Sequence, residues 1–257
     1  MQKKPFLTVL IPSWNSESFI ARGVRSILKN SYRGIEVLIV DNNSTDATRD
    51  IVASLKDDRV IFSPKKDKGM YEALNRGIKE ANGEIICWIG ADDRYEKGAL
   101  KIIAGSFMLN QNVNWIVGEG KFIFENENNR TVYHQLPQKV SADTIIKGNP
   151  LISPSVAFRK SFFEKAGCFN ESYKYASDYD LWIKFSLMQD PLVIHTALSL
   201  FSFNGSNISS KNKIKIYRET IRILSNVKNK KYLKIRLLNQ ARMIVYICYN
   251  FMYSLIK

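Results

Sequence analysis

The chain has 257 residues, 45% of them hydrophobic, enough for a large packed core and too many for a disordered chain. Its three cysteines, Cys87, Cys168 and Cys248, are far apart and form no CxxC pair or metal-ligand spacing, which argues against a disulfide framework and for a reducing compartment. The net charge of +14 belongs to one end: residues 211–257 hold twelve Lys or Arg against one acid, Glu219, leaving only +3 on the first 210 residues, so the body is not a fold-wide nucleic-acid surface.

The N-terminal MQKKPFLTVLIPSW has too short an apolar run before Pro12 to be a signal peptide. FLTVLI (6–11) predicts a strand, and SESFIARGVRSILKN sets Phe19, Ile20, Val24, Ile27 and Leu28 at helical spacing. IEVLIV (35–40) is nearly continuous and β-branched, as in a strand buried on both faces. STDATRDIVASL predicts a helix capped by Ser44 or Thr45. RVIFS predicts a third strand, GMYEALNRGIKEA a helix stopped at Asn82-Gly83, and EIICWI a fourth strand. This alternation predicts βαβ units and a largely parallel sheet. Farther on, NWIVGEGKFIF and RTVYHQL predict antiparallel strands, SFFEKAGCF a short helix ended by Gly167, and SDYDLWIKFSLM a helix from about Ser177. Residues 211–257 predict a helix, a polar break near 226–231, and a second helix.

Open α/β sheets bind ligands at the carboxyl ends of their strands. Polar clusters follow each of the first four strands here: PSWNSE, DNNSTD, KKDKG and ADD. The last is the most telling, because the apolar run ICWIG leads into two adjacent carboxylates, Asp92 and Asp93. Neither charge is cheap to desolvate, and each repels the other. There is no GxGxxG after the first strand and no GxxxxGK[ST] anywhere, so dinucleotide and P-loop readings lose their main support. A divalent ion, Mg2+ or Mn2+, held by one or two carboxylates plus substrate phosphates would account for the pair.

With these motifs in order, the sequence resembles the inverting, nucleotide-sugar-dependent glycosyltransferases of family 2, which have the GT-A fold. The resemblance spans about residues 6–209 and rests on VLIPSWNSESFI, IEVLIVDNNSTDAT, KDKGMYEALNRGIKEANGEIICWIGADD and SVAFRKSFFEKAGCFNESYKYASDYDLWIKF. DKGMYEALNRGI followed by GADD is most similar to bacterial enzymes that assemble O-antigen, colanic acid or capsule units. The resemblance implies that Pro12, Ser13, Asn15 and Glu17 line the nucleotide pocket and that Asp41 hydrogen-bonds the base, with uracil favoured. It puts Asp67, Gly69 and Asn75 beside the nucleotide and donor sugar. It gives Asp92 the ribose or a metal-bound water, Asp93 the metal, and Asp178 the role of catalytic base. A base there makes chemical sense: an acceptor hydroxyl must lose its proton as it attacks the anomeric carbon. The family usually has Asp where Gly90 stands, often Glu where Ser177 stands, and often His where Asn204 stands; the last departure puts a late metal or phosphate contact in question.

Blander readings compete. Carboxylates after a strand often cap helices, Asp178 and Asp180 suit a helix N-terminus, and Asp41 suits a turn. His134 and His195 have no ligand partners in sequence and read as structural or surface residues. Trp88 and Trp182 read as packing residues, while Trp14 falls in the pocket loop. The expected organisation is a nucleotide-sugar half (1–113), an acceptor and catalytic-base half of the same domain (114–210), and a basic helical tail (211–257). The tail either packs on the body or lies on an anionic membrane. Its longest uncharged run, 243–256, is too short to span a bilayer. The resemblance implies a lipid-linked saccharide acceptor, which favours a cytoplasmic protein held peripherally on the inner face of the cell membrane, with no nucleic-acid partner. A sugar nucleotidyltransferase is the enzymatic alternative, but PSWNSES lacks the Gly and basic residues that would grip a triphosphate. A sugar-nucleotide-binding module without catalysis is the other, and it would lack the metal pair or the base.

Overall fold

The computed structural model describes residues 6–30, 32–205, 207–227, 230–235, 237–238 and 241. The elements run β1 (Leu7–Ser13), α1 (Ile20–Leu28), β2 (Ile35–Asp41), α2 (Thr48–Ser54), β3 (Val60–Pro64), α3 (Met70–Glu80) and β4 (Ile85–Trp88). Then follow β5 (Arg94–Tyr95), α4 (Ala99–Leu109), β6 (Trp115–Phe124), β7 (Arg130–His134), α5 (Ala142–Lys147), a 3-10 turn (Ser153–Ser155) and β8 (Val156–Arg159). Last come α6 (Lys160–Lys165), α7 (Ser177–Met188), β9 (Leu192–Phe203), α8 (Ile208–Lys211) and α9 (Lys213–Asn226).

Among the described residues the strands form one nine-stranded sheet, ordered β3-β2-β1-β4-β8-β6-β9-β5, with β7 on the free part of β6. The β3-β2-β1-β4 part is parallel, as its βαβ connections require. The second part is mixed: β8 is antiparallel to both β4 and β6, while β9 runs parallel to β6. The sheet is therefore continuous across the expected 113/114 boundary. Strand alternation splits the core in two. Val9 and Ile11 of β1 pack with Val24 and Ile27 of α1 and Phe107 of α4 on one face. Leu10 packs with Leu74 of α3, Trp182 of α7 and Ile223 of α9 on the other.

One expectation is corrected. The residue preceding α2 is Ala47, not Ser44 or Thr45, and the Ser44 hydroxyl donates to Asp41 instead. Strands β5, β8 and β9 and helices α4 and α5 carry no expectation from the pattern. Of the two readings left open for the tail, its described part packs on the body: Ile223, Leu224 and Tyr232 are buried in the core that holds α7. The expected apolar run at 243–256, and Cys248 with it, lies outside the described residues. Among the described residues no helix is long and apolar enough to cross a membrane.

Candidate active site

The sheet topology brings three loop systems together. The segment after β4 carries Asp92 and Asp93 across from β4 to β5, which pairs with β9. Gly23 of α1 lets that segment sit close, since a Cβ there would come within 2.9 Å of the Ala91 carbonyl oxygen. Across the opening stand the Ser153–Ser155 turn and the N-terminus of α7. A cavity of about 660 Å3 opens between them, within the usual range for small-molecule sites. Pro12, Ser13, Asn15, Asp67, Gly69, Asp92, Asp93 and Asp178 all line it, from sequence positions up to 166 residues apart.

Asp93 is 4% exposed. Its Oδ1 accepts the Ser202 N–H at 2.9 Å and its Oδ2 the Gly90 N–H at 3.2 Å. Burial, and after it the charge of Asp92, hold its carboxyl well above the usual carboxylate range. Asp92 is raised too, chiefly by burial, and its Oδ2 accepts from Asn204 Nδ2 at 2.9 Å. A cation bound between them would favour the ionised pair. The residues present fit one. A Cβ on Gly90 would lie 2.8 Å from Asp92 Oδ1 and 3.0 Å from Asp93 Oδ2, so the missing side chain leaves space on which both oxygens converge. Among the described residues no group of three or more His, Cys, Asp or Glu could hold a metal ion. Two carboxylates, completed by substrate phosphates, are the donor set that Mg2+ and Mn2+ accept.

Asp178 is the second residue of α7, whose Leu181, Trp182 and Phe185 are locked in the core. Tyr71 Oη donates to Oδ1 at 3.0 Å, the Tyr179 N–H to Oδ1 at 2.8 Å, and Ser153 Oγ to Oδ2 at 2.6 Å. Burial raises its pKa and these donors partly oppose the rise. Tyr71 stays protonated, because burial and then the charge of Asp178 push its phenol well above the ordinary value. Three of roughly four acceptor positions are filled, leaving capacity for one further proton. Asp180 instead pairs with Lys184 at 2.8 Å, one turn along the helix.

The nucleotide-side residues divide. Asp67 has Oδ1 on the Gly69 N–H, while Oδ2 is buried without a partner; burial raises this carboxyl as well. Ser13 Oγ is similarly unpartnered. Asn15, at φ +45°, accepts from the Thr45 N–H and donates its own N–H to Ser44 Oγ. Glu17, Asp41 and Asn75 do not line the cavity. Glu17 accepts the Ala47 N–H at the start of α2. Asp41, 1% exposed, accepts both the N–H and the hydroxyl of Ser44. Asn75 ties α3 to Phe169 and Glu171. All three are hydrogen-bonded within the loops and helix starts that surround the opening. Trp14 is 65% exposed at the rim, and Trp88 is buried with its indole N–H unpartnered beside the cavity. His134 meets the Pro150 carbonyl and His195 meets Glu119, both away from the cavity lining. Sequence reasoning missed Tyr71 and Ser153, which hold Asp178; Asn204, noted there only as a departure from the family's His, holds Asp92.

The family profile described as "Glycosyl transferase family 2" matches residues 8–167, more than half of the chain. The chain belongs to glycosyl transferase family 2. A glycosyltransferase of Rickettsia typhi, named without an assigned reaction, is 28% identical to this family 2 protein over 205 residues, which is 76% of this chain and 63% of that one. The chain thus spans about three fifths of that relative's length. The Escherichia coli UDP-Glc:alpha-D-GlcNAc-diphosphoundecaprenol beta-1,3-glucosyltransferase WfgD is 27% identical over 212 residues, 81% of each chain. The crystal structure of S. aureus TarS residues 1–349 with UDP-GlcNAc superposes with a TM-score of 0.72 at 22% identity, over 88% of this chain and 68% of that one, a likeness of fold. The fold is the mixed α/β GT-A arrangement.

Proposed function

We propose that this family 2 protein is an inverting glycosyltransferase that moves a sugar from a UDP-linked donor to a lipid-linked saccharide in bacterial surface-polysaccharide assembly. One observation carries the reading: Asp178 and the Asp92–Asp93 pair open onto the same cavity. The donor nucleotide lies over the loops after β1 and β3, where Ser13 Oγ and Asp67 Oδ2 have unfilled hydrogen-bonding capacity. Asp41 acts through the loop it closes. Asp92 and Asp93 would hold Mn2+ or Mg2+, which neutralises the pair and stabilises charge on the departing diphosphate. Asp178 takes the proton of the acceptor hydroxyl, with Tyr71, Ser153 and the Tyr179 N–H fixing its orientation. Attack from the face opposite the leaving group inverts the anomeric centre. The donor and acceptor classes are supported by those in the name of the E. coli relative. Attachment to the membrane's inner face is supported by that acceptor and by α9, where exposed Ile214 and Tyr217 stand among exposed Lys213, Lys215 and Arg218.

The test is a donor screen: sugar nucleotides with Mn2+, with and without undecaprenyl-diphospho-saccharide, followed by release of nucleoside diphosphate. UDP release that depends on acceptor supports the reading. Pyrophosphate release from a nucleoside triphosphate would identify a nucleotidyltransferase instead, and tight sugar-nucleotide binding without turnover a binding module.

A further inference from the structure

Glu219 is the only acid in residues 211–257, and its carboxylate meets the segment that precedes α7. Its Oε1 accepts the Lys174 N–H at 2.8 Å, and its Oε2 accepts the N–H groups of Tyr175 at 2.8 Å and Ala176 at 3.0 Å. Three successive amides thus converge on one carboxylate. They belong to the strap that becomes α7 at Ser177, and Asp178 follows at once. Ala176, the residue before the helix, supplies no side-chain cap. An anion from another element instead ties down the three amides that lead into the helix, and such charge-assisted bonds are stronger than neutral ones. The same helix grips the strap at further points. Asn226 Nδ2 donates to Tyr173 Oη at 3.1 Å, Arg222 stands over the Tyr173 ring at 5.4 Å, and Lys215 Nζ reaches Tyr175 Oη at 3.4 Å. Ile223 and Leu224 anchor α9 in the core beside α7. The Glu219 charge is also felt at Tyr71, the donor to Asp178.

We infer that Glu219 is a positioning residue for the base Asp178, so that the basic tail helix, beyond any contact with a membrane, completes the catalytic half of the site. The inference rests on the glycosyltransferase reading. Its physical basis is that proton abstraction tolerates little displacement: about 1 Å of misplacement costs on the order of 100-fold in rate. The nucleotide side of the cavity is built from the loops after β1, β3 and β4, which Glu219 does not touch.

The experiment uses the full chain with Glu219→Ala and the near-isosteric Glu219→Gln, which keeps one acceptor oxygen. Hydrogen exchange should quicken about tenfold or more at the amides of Lys174, Tyr175 and Ala176 in Glu219→Ala. Turnover, read as UDP release with the donor and acceptor that the wild type uses, should fall about 10- to 100-fold. UDP affinity, measured by calorimetry with Mn2+, should stay within about twofold. Glu219→Gln should recover part of the turnover, and it stands in if the alanine variant does not fold. Unchanged exchange at the three amides, turnover within twofold of wild type in both variants, or UDP affinity falling in step with turnover each overturn the role given to Glu219. A wild type that releases no nucleoside diphosphate overturns the underlying glycosyltransferase reading, and this inference with it; a wild type that turns over beside an equally active Glu219→Ala overturns the inference alone.

Discussion

Asp178→Asn is the sharpest test of the chemistry, because it changes basicity and little else. The amide keeps one acceptor oxygen for Tyr71 and the Tyr179 N–H, and the Ser153 hydroxyl can turn to accept from the new NH2. The fold should therefore hold within about 1 kcal/mol. The pH dependence has a definite sign. Burial raises the Asp178 pKa in the folded state, so the unfolded chain releases this proton first as pH rises. The wild type thus loses stability from about pH 4 upward through the folded pKa, and Asp178→Asn does not. The variant should be relatively more stable at pH 7 than at pH 4, read from urea midpoints. Wild-type turnover should fall as pH falls through a value above the ordinary Asp pKa of about 3.9, and the variant should lack that limb. Loss of the base should cost about 100-fold or more in turnover, which is about 2.7 kcal/mol on the barrier. The assay is UDP release at saturating donor, beside UDP affinity by calorimetry. Turnover within tenfold of wild type would refute the assignment of the base. A collapse of UDP affinity would make Asp178 a binding residue.

Asp93→Ala should abolish Mn2+-dependent UDP binding; full activity in EDTA would defeat the metal assignment. Deleting residues 211–257 should prevent cooperative folding. Ile223 and Leu224 are each 1% exposed, and at about 1.5–3 kcal/mol apiece they supply a large part of a typical total of about 5–15 kcal/mol. A truncated protein that still binds UDP would show that α9 is dispensable to the core. For the membrane, Ile214→Ser should weaken sedimentation with anionic vesicles, and moderate salt should weaken the wild type; equal sedimentation of the variant would place the contact elsewhere.

The strands β1 to β4 and the helices between them were legible because each carries a local signal. An apolar run such as IEVLIV is buried at every position, and the helical spacing of α1 puts Ile20, Val24 and Ile27 in the core. The clusters at the carboxyl ends follow from parallel topology, so the positions of Asp67, Asp92 and Asp93 could be expected, and α7 begins at Ser177 as its pattern indicates. Strand β9 could not be read this way. Its twelve residues face partly solvent and partly core, and its register against β6 shifts near Gly118 and Glu119, which breaks the alternation that marks a strand. Side-chain commitments were hidden for a different reason. Asp41 sits at the expected strand exit, yet its carboxylate closes onto Ser44, a choice made by packing rather than by spacing. The hydrogen bonds that hold the acids join Tyr71 to Asp178, Asn204 to Asp92 and Glu219 to the strap before α7, across 107, 112 and 43–45 residues of chain. No periodicity links positions so far apart. Sequence set which acids emerge at the strand ends, and only the folded sheet, by bringing β4, β9, α7 and α9 together, decided which groups hold them.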